Sequence, residues 1–411
     1  MKAITNGRCI LPDEDDEFVE KTGCVLLYDE TGIRAICDAA SFDVARASVA
    51  PEDVLDAGGR YVAPGFLNVH IHGCGGADTM DATPDALTII RKKQAEMGVT
   101  AFLPTTMTCP WDEIAGALTR ARAAMDANGQ SIGADILGAH MEGPFISPKK
   151  KGSQKASNIL APDYEKLAPF ADVVRLVTIA PEELPAKKIA GAGSSADITT
   201  LAPEARDWQF IDACEAAGIV VSIGHTAADY ATSASAVRDH GVHHFTHLCN
   251  GMVDISHRAP GTVGAALDTA ARVELICDNI HNDPVIQRLI WRLKGKDEMI
   301  LITDSMSACG IGDGTYLFGG QRVTVRGERA LLDDGTIAAS IATMNRCIHR
   351  FHENTGAEMA DVITTVTKTP AKDLGVYETR GSLAPGKRAD ITVFDDDVNI
   401  FATIVGGRRV V

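Results

Sequence analysis

An apolar run, Phe66-Leu67-Asn68-Val69, follows Pro64-Gly65 and ends in His70-Ile71-His72, with Gly73, Gly75 and Gly76 directly behind it. The run reads as a buried strand, and side chains two apart on a strand share a face. Both imidazoles therefore project side by side where the strand stops and the glycines turn the chain away. A pair of imidazoles on an open strand end suits a metal ion at the mouth of a barrel, and it obliges the fold to bring further ligands to the same end.

The rest of the chain supplies strands that can do so. Apolar runs at 66–72, 100–105, 136–142, 173–179, 219–225, 244–249, 273–277 and 299–303 read as eight strands, with helical patterns such as 86–97 and 111–128 between them. Strands alternating with helices make a parallel sheet, and eight such units predict a TIM-like (β/α)8 barrel. Segments 24–28 and 33–37 flank Asp29-Glu30-Thr31-Gly32 as a hairpin, and 389–394 and 402–405 read as strands, with Gly406-Gly407 as a turn. The two β-rich ends predict a small β-sandwich domain formed by the N- and C-terminal segments, residues 1–62 and 366–411, around a barrel at 63–365. Gly319-Gly320 through Asp333-Asp334-Gly335 reads as a hairpin inserted after the eighth strand. At 411 residues the chain can bury a barrel core and a small companion domain.

Composition narrows the function. Lys plus Arg is 39 against 55 for Asp plus Glu, a formal charge of −16, which makes the chain a poor candidate for non-specific nucleic-acid binding. An anionic substrate must then be drawn by a local basic site. The ten cysteines are scattered and form no C-x-x-C pair, so neither a disulfide framework nor a zinc ribbon is expected. Met1-Lys2 leads into a mixed polar segment, and no run of 18 apolar residues occurs. The expectation is a reduced, cytoplasmic protein that engages no membrane.

Barrel sites form where strands meet the loops that follow them. His70 and His72 end the first strand, Glu142 the third and His225 the fifth; His247 lies on the sixth, and Asp304 directly follows the eighth. Imidazoles and a carboxylate are good ligands for zinc and related divalent ions. Taken singly, each has an ordinary reading: a lone histidine is a core or surface residue, and a strand-end glutamate is hydrated or caps a helix. Five such groups at one end of successive strands point to a metal site. His140 shares a face with Glu142 and reads as support behind it, while the strand register leaves His243 and His244 outside the site. Asp304 is the candidate general acid/base, since a carboxylate beside a metal can take a proton from water and pass it to a departing amine. Its ordinary reading is a helix N-cap.

The set Pro64-Gly65-Phe66 with His70-Ile71-His72, His140-Met141-Glu142-Gly143-Pro144-Phe145, Gly224-His225-Thr226, Thr246-His247-Leu248-Cys249-Asn250-Gly251-Met252 and Thr303-Asp304 resembles the amidohydrolase superfamily. Within it the chain is similar to the N-acetylglucosamine-6-phosphate deacetylase family, which places a glutamate in the H-x-E-G-P context where many relatives carry a carbamylated lysine. The resemblance extends from the N-terminal sheet to Lys387-Arg388-Ala389-Asp390. It implies that Glu142, His225 and His247 hold the main metal, that His70 and His72 complete a second position, and that Asp304 is the catalytic acid/base. One or two divalent ions per subunit are implied, zinc foremost, with iron, manganese, cobalt and others as further candidates.

The resemblance also implies substrate contacts. Asn250 and Gly251 match an Asn-Ala pair, with Gly in place of Ala. Ser153 and Gln154 lie in Lys151-Gly152-Ser153-Gln154, where some members carry His at the position of Gln154. Ile337, Ala338 and Ala339 match a substrate-lining turn, with Ala339 in place of Gly. Arg258 matches a phosphate-binding arginine that reaches into the neighbouring subunit's site, which implies a homodimer, and His281 matches a second phosphate contact. Without the family, Arg258 is a surface residue and His281 a helix-start residue. The implied substrate is a small amino-sugar phosphate: the N-acetyl group of N-acetylglucosamine 6-phosphate is hydrolysed to acetate and glucosamine 6-phosphate in amino-sugar catabolism. The alternatives are a deacylase of the same superfamily acting on an N-acyl amino acid or another acetylated hexosamine phosphate, and a non-catalytic scaffold relative. The scaffold alternative conflicts with the intact set of five ligand positions and Asp304.

Overall fold

The computed structural model describes residues 1–42, 48–129, 133–187, 198 and 201–411. Alternating side chains build the terminal sheet first. Strand β1 (Lys2–Pro12) pairs antiparallel with β2 (Phe18–Asp29), and β2 with β3 (Gly32–Asp38). The β2–β3 turn closes on the Asp29 carboxylate, which accepts from the Thr31 N–H at 2.8 Å, the local bond that favours Asp at such a corner. Val25 and Leu27 pack with Ala3 and Val49, while Leu26 and Tyr28 pack into a separate core with Ile391 and Ala402. Strands β4 (Val54–Asp56) and β5 (Tyr61–Pro64) then join β1 in parallel.

The barrel follows without a break. Strand β6 (Phe66–Ile71) leads into the short pair β7 (Gly73–Cys74) and β8 (Ala77–Asp78), which carries the chain away behind His72. Then come α1 (Ala86–Glu96), β9 (Val99–Thr106), α2 (Trp111–Asp126), β10 (Asp135–Ile136), β11 (Ala139–Glu142), α3 (Tyr164–Leu167) and β12 (Val174–Ile179). The remaining units are α4 (Gln209–Ala216), β13 (Val220–Ile223), α5 (Tyr230–His240), β14 (His244–Phe245), α6 (Gly261–Asp268), β15 (Arg272–Ile276), α7 (Pro284–Lys294) and β16 (Met299–Ile302). Helix α5 starts on Asp229, which accepts from the Thr232 N–H at 2.8 Å, and α7 on Asp283-Pro284, the caps such positions favour. The parallel ladders run from β6 to β9 and on through β11 to β16, a nearly closed TIM-like barrel.

Two departures from the expected strands have local causes. The third strand is split into β10 and β11 at Gly138, whose φ is +152° and where a Cβ would lie 2.3 Å from the Arg175 side chain. The sixth stops at Phe245, because His247 and Cys249 take φ of 29° and 76°. Inside the barrel, hydroxyls replace part of the usual branched aliphatic filling: His140 Nε2 meets Thr178 Oγ1 at 2.7 Å, and Thr178 Oγ1 meets Thr246 Oγ1 at 2.7 Å.

After β16 the inserted segment is larger than a hairpin. Strands β17 (Gly314–Phe318), β18 (Gln321–Arg326), β19 (Arg329–Leu332) and β20 (Ile337–Ala339) form a four-stranded antiparallel sheet, because buried Phe318, Val323, Val325 and Ala330 give it an apolar side of its own. Helices α8 (Met344–Thr355), α9 (Met359–Val366) and α10 (Lys368–Asp373) pack on β16. Strands β21 (Ile391–Phe394), β22 (Ile400–Val405) and β23 (Arg408–Arg409) return to the terminal sheet, β21 lying antiparallel to β5. Asp135 of β10 receives Arg380 at 2.8 Å and Arg388 at 2.7 Å, and both arginines also hold Asp390, which pins the small sheet to the barrel. Among the described residues no helix is long and apolar enough to cross a membrane.

Candidate active site

Three histidines are fixed in the same way. The Glu274 carboxylate lies 2.9 Å from His70 Nδ1, and because it can only accept, that nitrogen carries the proton. The backbone carbonyl of Thr105 does the same for His72 Nδ1 at 3.2 Å, and that of Lys150 for His225 Nδ1 at 3.0 Å. Each Nε2 is thereby turned inward as a lone pair, and that of His70 is buried with no hydrogen-bond partner.

The inward nitrogens converge on two carboxylates. Glu142 Oε1 lies 2.9 Å from His247 Nε2, 3.1 Å from His225 Nε2 and 3.6 Å from His70 Nε2, and its Oε2 lies 3.2 Å from His72 Nε2. Asp304 Oδ1 lies 3.4 Å from His70 Nε2 and 3.3 Å from His72 Nε2. The Nε2 atoms of His225 and His247 are 3.1 Å apart. His70 with His72 and Asp304, and Glu142 with His225 and His247, each form a buried group whose ligand atoms lie within 4.8 Å of one another.

So many lone pairs and anionic oxygens can face each other only with cations among them. Without a metal, protons take that place. Burial opposes charge on His72, yet hydrogen bonds to Asp304 and Glu142 push it up to about 10. His247, equally buried, is pushed up to about 9 by Glu142. Burial likewise works against the Glu142 carboxylate, but the charge and hydrogen bond of His225 hold it well below the usual range, and His70 and His72 do the same, less strongly, for Asp304. The orphaned His70 Nε2 and the mixed nitrogen and oxygen donors fit a divalent ion.

Backbone strain marks the same places. His225, His247 and Asp304 hold φ of 47°, 29° and 47° at the ends of their strands, a conformation that costs about 1–3 kcal/mol per residue and persists where surrounding packing dictates it. No helix follows Asp304, since the next element is β17, so the cap reading falls away.

The cluster floors a cavity of ≈240 Å³, whose walls include Ser153, Asn250, Gly251, His281, Ile337 and Ala338. Ser153 Oγ donates to the Ala338 carbonyl at 2.8 Å, tying the loop before the site to the inserted sheet. Gln154 accepts from the Thr108 N–H at 2.8 Å, which identifies its oxygen and leaves the amide nitrogen 2.7 Å from Glu142 Oε2. Its amide is thus engaged with Glu142. His281 gives its Nδ1–H to Asp278 at 2.6 Å, leaving Nε2 for the cavity. Ala339 is buried in β20 and does not line the cavity. Arg258 also lies outside it, exposed in the turn closed by Ser256 and Ala259, with Nη1 2.6 Å from His257 Nε2. A wider hollow lined by Trp208 and His240 shares no residue with the site.

Glu274, His244 and Asp373 escape a reading based on strand ends. Glu274 stands in the middle of the apolar strand β15, fully buried, and accepts from His70, from the His247 N–H at 3.1 Å and from His244 Nε2 at 3.1 Å. His244 gives its other N–H to Asp373 at 2.7 Å, and these two carboxylates overcome burial to push it up to about 10. An ionisable residue inside an apolar strand was the available signal. Phe318 of β17, edge-on to His72 at 5.1 Å, also lines the cavity and carried no such signal.

The family model described as "Amidohydrolase family" matches residues 61–410. A Bacillus subtilis relative named N-acetylglucosamine-6-phosphate deacetylase is 41% identical over 347 residues, 84% of this chain and 83% of its own. Among solved structures, N-acetylglucosamine-6-phosphate deacetylase from Pasteurella multocida superposes with a TM-score of 0.86 at 28% identity, covering 99% of both chains. The Mycobacterium smegmatis deacetylase in complex with N-acetyl-D-glucosamine-6-phosphate gives a TM-score of 0.83 at 27% identity, covering 100% of this chain and 99% of that one.

Proposed function

We infer the activity from one premise: the chain belongs to the amidohydrolase family and, within it, to the N-acetylglucosamine-6-phosphate deacetylases. It hydrolyses the N-acetyl group of N-acetylglucosamine 6-phosphate, releasing acetate and glucosamine 6-phosphate in amino-sugar catabolism. The observation that carries this is the convergence of four inward Nε2 atoms on Glu142 and Asp304 at the floor of one cavity.

Glu142, His225 and His247 hold the main divalent ion, and His70 and His72 supply a second position; zinc is the metal their donor atoms suit best. Bound there, the metal supplies a Lewis acid toward water and the amide carbonyl. Asp304 takes the proton of the attacking water and returns it to the departing nitrogen. The walls formed by Ser153, Asn250, Gly251, Ile337 and Ala338 hold the sugar, with Gln154 keeping Glu142 in place and Ala339 backing the wall from β20. His281 meets the phosphate.

The second phosphate ligand is Arg258 of another copy, in a homodimer. Two features support this: Arg258 is exposed outside its own cavity, and α7 shows the solvent an apolar stripe of Val285, Leu289 and Leu293. Residues 1–62 and 366–411 flank the barrel of 63–365 as the companion domain. The ten cysteines are all unpaired, which suits work in the reducing cytoplasm.

The test is acetate release from N-acetylglucosamine 6-phosphate beside unphosphorylated N-acetylglucosamine, with metal content measured on the same sample. Turnover of the phosphorylated sugar with bound metal is expected. A metal-loaded protein inactive on both sugars would overturn the assigned substrate.

A further inference from the structure

We infer that Glu274, braced by His244 and Asp373, is a positioning residue that fixes His70 as a metal ligand and seats His247 through its backbone. This rests on the proposed metal-dependent site and deepens it.

Every oxygen of Glu274 has a defined task. Oε2 accepts the His70 Nδ1–H at 2.9 Å and the His247 N–H at 3.1 Å, and Oε1 accepts from His244 Nε2 at 3.1 Å. His244 is held from behind by Asp373 Oδ2 at 2.7 Å, and Asp373 Oδ1 takes Arg272 at 3.1 Å. The side chains of His70, Glu274, His244 and Asp373 are all completely buried, so no solvent can substitute for any of them. The chain crosses from α10, through β14 and β15, to the end of β6.

His70 differs here from its neighbours. His72 and His225 are oriented by the backbone carbonyls of Thr105 and Lys150, which no substitution removes. His70 is oriented by a side chain. A histidine ligand takes its tautomer and ring plane from the partner of its other nitrogen, and losing that partner costs about 10–100-fold in metal affinity or activity.

The experiment is a cobalt(II) titration of metal-stripped protein, followed by visible absorption and checked against far-ultraviolet circular dichroism. Glu274→Ala and His244→Ala are expected to weaken binding about 10–100-fold and to alter the cobalt spectrum. Glu274→Gln, whose amide oxygen can still accept from His70 and His247, should recover most of the affinity. Glu274→Asp keeps the charge but draws the oxygens back by one methylene, so it should weaken binding even if the alanine variants fail to fold. Folded alanine or aspartate variants that bind cobalt as the wild type does would overturn the positioning role, as would a glutamine variant no better than alanine. Wild-type protein that takes up no cobalt would overturn the metal-site reading itself.

Discussion

The backbone N–H of Asp304 donates to the carbonyl oxygen of His70 at 3.0 Å, at the seam where the last barrel strand meets the first. The seam is reinforced by Asn68, whose amide donates to Thr303 Oγ1 at 2.9 Å, and by the His72 N–H, which donates to the Ser305 carbonyl at 3.0 Å. Strands β6 and β16 share no ladder of their own, so these bonds span the gap between them. Closing it also sets Asp304 Oδ1 3.4 Å from His70 Nε2, so the proposed acid/base and a proposed metal ligand are placed by the same contact.

Asp304→Asn keeps the shape and the seam, which is a backbone bond, but removes the proton acceptor. kcat is expected to fall by about 10²–10⁴-fold, with metal content close to that of the wild type. Steady-state kinetics with metal analysis checks it, and a kcat within tenfold of wild type would remove Asp304 from the proton transfer.

Gly251→Ala tests the close approach around His225. Gly251 has φ of +58°, and a Cβ there would lie 2.9 Å from His225 Nδ1 and 3.2 Å from the Lys150 carbonyl that holds that nitrogen. Backbone strain alone should cost about 1–3 kcal/mol. Urea unfolding should show this loss and metal affinity should fall with it; unchanged values for both would mean the loop yields freely.

Stability should depend on pH through His244. Its folded value, about 10, lies above its ordinary 6.5, so its contribution is complete below pH 6.5 and is lost as the pH rises toward 10. Asp373 runs the other way: its carboxyl is lowered from 3.8 by His244 despite burial, so its contribution is complete above that value and is lost as the pH falls through the lower folded one. Urea midpoints should decline from pH 6.5 to 10 in the wild type and less so in His244→Gln. Parallel declines would exclude His244 as the source.

Mixing inactive variants tests the proposal that Arg258 completes the phosphate site of a partner copy. Asp304→Asn and Arg258→Ala should each lose most activity alone. Refolded or exchanged together, they should form mixed dimers in which one site has both Asp304 and a partner's arginine intact. Recovered turnover is the expected result, and none would place Arg258 outside the site.

Much of the site was legible in the chain itself. His70 and His72 share a face because strand geometry has a period of two, and Glu142, His225, His247 and Asp304 fall at strand ends that a βα alternation must bring to one rim. The motif context of these same residues carried the family resemblance. The strand breaks at Gly138 and His247 were not legible, since each depends on what a side chain would strike or where the chain must turn once neighbouring strands are in place. The four-stranded extent of the insertion depended in the same way on the apolar side that Phe318, Val323, Val325 and Ala330 present once its strands pair.

Local sequence thus determined which groups can be ligands and to which end of the fold they go, because periodicity and strand order act over a few residues at a time. Tertiary structure alone decided which nitrogen of each histidine faces inward. That choice belongs to partners far along the chain, Glu274 for His70, Thr105 for His72 and Lys150 for His225, and a hydrogen bond across the barrel leaves no periodic trace in the sequence.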